Sequence, residues 1–80
     1  MRFGLKLKPK DGQMRRYYFS LRGGQNIDDS GGLAFETDLD AFHAARRLAT
    51  ELASGRPNLR GNTCVVLTRQ GAEDIYCIGV

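Results

Sequence analysis

An α+β domain is what this sequence predicts: two layers, an antiparallel sheet of three or four strands and one helix packed on one face, in the order ββαββ. Three observations carry that expectation. Residues 15–22, Arg-Arg-Tyr-Tyr-Phe-Ser-Leu-Arg, hold three consecutive aromatics in a strand-like alternation. A stretch of helical periodicity opens at Thr37 or Asp38 and runs to about Ser54. Two β-branched and apolar runs, 63–69 and 74–80, flank Gln70-Gly71-Ala72-Glu73 as the arms of a hairpin.

In the aromatic strand, Tyr17, Phe19 and Leu21 point to one side of the sheet, and Arg16, Tyr18, Ser20 and Arg22 to the other. Gly23-Gly24 then makes a turn, Gln25-Asn26-Ile27 is at most a short strand, and Asp28-Asp29-Ser30-Gly31-Gly32 is a second turn cluster. A calcium loop fits this cluster poorly, because the alternating oxygen ligands and a closing Glu at fixed spacing are lacking. A solvated turn is the plainer reading.

The helix carries its own punctuation. Thr37 with Asp40 has capping-box spacing, Asp38 is an alternative N-cap, and acids in the first turn suit the helix dipole. Ala41, Phe42, Ala45, Leu48, Ala49 and Leu52 fall in one arc, and Asp40, His43, Arg46, Arg47, Thr50, Glu51 and Ser54 in the opposite one. Gly55 and Pro57 end it. A four-residue hairpin loop then sets Arg69 opposite Asp74, Leu67 opposite Tyr76 and Val65 opposite Ile78. Val65, Leu67, Tyr76, Ile78 and Val80 share one face, and Cys64, Val66, Ile75 and Cys77 the other. A hairpin apolar on both faces needs cover on both, and one helix covers only one. A second copy of the chain is the simplest cover, so a homodimer through the sheet or its edge is expected.

Composition sets the outer limits. The chain has 80 residues, 41% hydrophobic and 26% charged, as in an ordinary globular domain with a small core. Residues 14–80 are expected to form that single domain, and residues 1–13 a basic extension or an edge strand, in which Phe3, Leu5 and Leu7 alternate with Gly4, Lys6 and Lys8. Met14 is an alternative start of the chain. Four of the twelve basic residues, Arg2, Lys6, Lys8 and Lys10, lie in that segment, and the remainder holds eight basic and eight acidic residues. The net charge of +3 is therefore local and not a field over the whole domain. No apolar run reaches membrane-span length and no signal-peptide core is visible, so no membrane association and a cytoplasmic location are expected. Cys64 and Cys77 are then reduced, and their commoner role is that of small buried hydrophobes.

Catalytic chemistry finds little foothold. His43 lies on the polar helix face with no second His and no Cys at ligand spacing, and reads as a solvated surface residue. Neither glycine pair leads through Gly-Lys-Ser/Thr into a helix, so neither is a phosphate loop. No nucleophile, base and oxyanion set can be named, and the chain is read as non-catalytic, with no cofactor and no metal. The candidate interaction surface is Arg16, Tyr18, Ser20 and Arg22. An aromatic among cations there also suits stacking on single-stranded nucleic acid, which is kept as the alternative function.

These residues also support a resemblance. Met14-Arg15-Arg16-Tyr17-Tyr18-Phe19-Ser20-Leu21-Arg22 with Gly23-Gly24, then Asp28-Asp29-Ser30-Gly31, then Asp38-Leu39-Asp40-Ala41 with Ala44-Ala45, and a closing hairpin, resemble a family of small bacterial proteins of unknown function abundant in rhizobia and related alphaproteobacteria. The likeness covers 67 residues from Met14. Departures are the N-terminal extension and Thr37, where the family commonly has proline. The resemblance implies a fold and a start at Met14, and brings no activity or site residues.

Overall fold

The computed structural model describes residues 14–72 and 74–80. The predicted N-terminal extension or edge strand lies outside them. The elements are β1 (Arg15–Gly23), β2 (Leu33–Phe35), helix α1 (Asp38–Gly55), a 3-10 turn (Pro57–Leu59), β3 (Thr63–Arg69) and β4 (Asp74–Gly79). The strands form one antiparallel sheet in the order β2-β1-β3-β4. This is an α+β fold with four strands and one helix among the described residues.

β1 is central, and its partner across the long connection is β3, with Phe19 opposite Leu67 and Leu21 opposite Val65. The strand that precedes α1 is Leu33–Phe35, which sequence reasoning missed. Three residues are too few to show a period, and pairing with residues 15–17 is what makes them a strand.

Thr37 is the N-cap of α1, its Oγ1 accepting from Asp40 N–H at 3.0 Å. Ala45 and Ala49 form one buried cluster with Leu21 and Val65, and Ala41 forms another with Tyr17 and Leu67. Small side chains at every fourth position let the helix approach the large residues of the strands closely. Phe42, Leu48 and Leu52 pack at the cluster margins, and the seven residues of the predicted polar arc are exposed. Leu59 in the 3-10 turn is also buried.

The hairpin has the expected pairs Leu67 with Tyr76 and Val65 with Ile78, but it slips between Leu67 and Thr68, so that Thr68 faces Asp74. Two expectations change at this bulge. Arg69 does not face Asp74, and Ile75, the extra residue, packs beside Tyr17, Ala41 and Leu67 instead of sharing a face with Cys64 and Cys77.

Candidate functional site

Register brings the predicted surface residues together on the side of the sheet away from the α1 clusters. Arg16 lies opposite Ala34, Tyr18 opposite Thr68, Ser20 opposite Val66 and Arg22 opposite Cys64. Cys77, opposite Val66 on the next strand, extends the same face.

Three of the four candidate residues are engaged within the chain, and their partner is the 28–32 turn. Arg16 Nη1 donates to Gly31 O at 2.7 Å, Ser20 Oγ accepts from Asp29 N–H at 3.2 Å, and Arg22 donates to Asp28 Oδ1 and to Leu21 O. The turn runs along the edge of β1 between an Ile27–Leu21 bridge and the start of β2. Asp29 lies where a strand residue would otherwise pair. Its Oδ2 accepts from Phe19 N–H at 3.1 Å, and its Oδ1 accepts from Gly31 and Gly32 N–H at 3.1 and 3.0 Å. Burial alone would push this carboxyl up, but the three N–H donors, led by Gly32, outweigh it and hold Asp29 below the usual carboxylate range. Both oxygens face donors, so the turn is not arranged as a cation loop. Among the described residues, no group of three or more His, Cys, Asp or Glu could hold a metal ion.

Gly32 is required by this arrangement. Its φ is +69°, and a Cβ there would meet Tyr17 O at 2.6 Å. The alternation in 15–22 reveals which side chains share a face. Their attachment to the turn depends on the register of two segments and leaves no local signal.

A second polar cluster escaped sequence reasoning altogether. The Tyr17 ring is fully buried, yet its hydroxyl donates to Asp38 Oδ1 at 2.5 Å, and Arg69 Nη1 donates to both oxygens of Asp38 at 3.0 and 2.8 Å. Burial, and then Asp38, push the Tyr17 phenol up. The Tyr17 hydrogen bond, against burial and with Arg69, holds Asp38 low, and Asp38 in turn raises Arg69. Each group has a partner, so the cluster fastens the start of α1 to β1 and β3. Its only sequence trace was an acid in the first helical turn.

Cys64 and Cys77 bring their sulfurs to 2.9 Å. Cys77 is exposed and Cys64 half-buried, so the expectation of two small buried hydrophobes is corrected. The hydrogen bond from Cys77, and then burial, push the Cys64 thiol up, while Arg22 acts in the opposite direction. His43 is exposed beside Phe42, as its place on the polar arc predicted. No helix among the described residues is long and apolar enough to cross a membrane.

Against known proteins, residues 16–75 match the model of a family described as a domain of unknown function, DUF6894. No curated protein and no solved structure matches the chain.

Proposed function

The chain belongs to the DUF6894 family, whose function is unknown, and we propose that it is a non-catalytic interaction module that pairs with a second copy of itself through the sheet, along the open edge of β4. The observation that carries this reading is the chemistry of that edge. β4 has β3 on one side and, among the described residues, no strand on the other. Its residues 75–79, Ile-Tyr-Cys-Ile-Gly, contain no charge and no proline, two of the devices that keep an edge from pairing, and beyond the bulge at Ile75 the run 76–79 is regular. Tyr76 is 41% exposed on it. The opposite edge is different in kind: β2 is three residues long, and the turn before it has its N–H groups bound to Asp29.

An antiparallel β4–β4 contact about a two-fold axis satisfies identical unpaired backbone groups on both copies. It also makes one continuous eight-stranded sheet, a gain for a domain of this size with a small core. Nucleic-acid binding is the weaker reading, since the guanidiniums of Arg16 and Arg22 are directed at Gly31 O and Asp28.

Light scattering on the full chain at micromolar concentration with reductant present tests the proposal. The expected mass is twice 8.9 kDa, and Cys77→Lys, a charge on the edge at an exposed position, is expected to return the monomer with an unchanged circular dichroism spectrum. A wild-type monomer sinks the idea, and a dimer that survives Cys77→Lys removes β4 as its interface.

A further inference from the structure

We propose that Cys64 and Cys77 are a reversible redox pair, closing a β3–β4 disulfide by exchange with a low-molecular-weight disulfide of the glutathione class. The two sulfurs are 2.9 Å apart on the face of the sheet that α1 does not use. The register explains how they meet. Cys64 faces Gly79 and Cys77 faces Val66, so the cysteines are diagonal neighbours on one face, with no side chain opposite Cys64 at Gly79. A Cβ built at Gly79 would meet no atom within 4 Å, so an incoming small molecule has an open approach.

Accessibility orders the steps. Cys77 is the exposed member and Cys64 the half-buried one, its thiol kept protonated by Cys77 and by burial. Cys77, having given its proton to solvent, attacks one sulfur of the small disulfide. That S–S bond breaks, a mixed disulfide forms on Cys77, and the first small thiolate leaves and takes up a proton. Cys64 then attacks the Cys77 sulfur, and its proton leaves with the second small thiol. The cysteine pair loses two electrons, and the small disulfide gains them as two thiols.

Reversibility follows from the diagonal placement. Diagonal positions on paired strands are about 7–8 Å apart at Cα, beyond the about 4.4–6.8 Å that disulfides favour. Closure therefore draws β4 along β3, and a bond formed under that load is more readily reduced. Side chains at these positions leave the sheet by its face, so the pair stays reachable whether or not the β4 edge is covered.

The test equilibrates the full reduced chain with mixtures of reduced and oxidised glutathione at neutral pH, quenches by alkylation, and maps peptides without reduction. The expected product is a single intramolecular 64–77 link, lost again as the reduced form is increased, and formed faster in the native chain than in denaturant. Cys64→Ser is expected to accumulate the glutathione adduct on Cys77, while Cys77→Ser reacts about tenfold more slowly, because Cys64 is the less accessible thiol. Links only between chains, adducts on both cysteines without closure, or equal closure rates in native and denatured protein would each overturn the proposal.

Discussion

Replacing Asp29 with alanine tests the central structural claim, that this carboxylate stands in for a strand residue beside β1. The variant removes the acceptor for three backbone N–H groups. Hydrogen bonds to a charged group contribute about 1.5–3 kcal/mol each in net terms, but the three are not equal here. Gly31 is exposed, and its N–H can turn to water. Phe19 lies in β1 between Leu21, paired with Ile27, and Tyr17, paired with Leu33, and its N–H turns to Asp29 where a strand partner would stand. A loss of about 2–3 kcal/mol is expected, most of it from the half-buried donors Phe19 and Gly32. At about 4–8 °C per kcal/mol for a domain of this length, that lowers the melting midpoint by about 8–24 °C.

Proton linkage supplies the control. The folded value of Asp29 lies below its ordinary 3.8, so its stabilisation is complete above the unfolded value and is lost as pH falls through the folded one. The gap between wild type and Asp29→Ala is expected to hold from neutral pH to about pH 4 and to narrow below it. Asp38, also depressed, is present in both proteins and drops out of the difference. Thermal melts followed by circular dichroism from pH 7 to 2.5 read both quantities. Equal midpoints at pH 7, or a gap of the same size at the acid end, would refute the assignment, the second result pointing to chain geometry and not to the carboxylate.

Three further substitutions probe the same scaffold. Tyr17→Phe deletes the buried hydroxyl's hydrogen bond to Asp38 while Arg69 continues to hold that carboxylate, so urea denaturation is expected to show a loss of about 1.5 kcal/mol, at the low end for a charged acceptor; an unchanged midpoint would mean that the 2.5 Å contact contributes nothing. Gly32→Ala forces a side chain into left-handed backbone and against Tyr17 O, an expected cost of about 2–3 kcal/mol. Gly31→Ala meets no atom within 4 Å and is expected to stay within about 0.5 kcal/mol, and equal effects of the two in thermal melts would contradict the packing described.

What the sequence disclosed depended on how local the cause was. α1 was legible to its cap, because periodicity, Thr37 and Pro57 all act within a few residues of the backbone they shape. The alternation of β1 was legible for the same reason. At the hairpin, Val65 with Ile78 and Leu67 with Tyr76 follow from a period of two, but a bulge changes that period at one point and carries no composition of its own. It turned Ile75 toward the margin of the core, and Asp74 was left facing Thr68. Arg69 instead reaches Asp38, 31 residues away in the chain, a distance over which no sequence pattern signals an ion pair.

The 28–32 turn makes the same point for the candidate surface. Two acids beside two glycines look like a solvent-exposed connection, and the basic strand looks like a surface waiting for a partner. Each supplies what the other lacks: Arg16 and Arg22 take up a carbonyl and a carboxylate of the turn, Asp29 takes up the N–H groups of the strand and turn, and Gly32 admits the approach. The chain has therefore closed the β1 edge with its own polar groups. Closing that edge also directs any further pairing elsewhere: with β1 flanked by the turn and β2 on one side and β3 on the other, the outer strands of the described sheet are the three-residue β2 and the longer β4, and the self-association proposed above rests on that asymmetry between the two edges more than on the arginines that first drew attention to the strand.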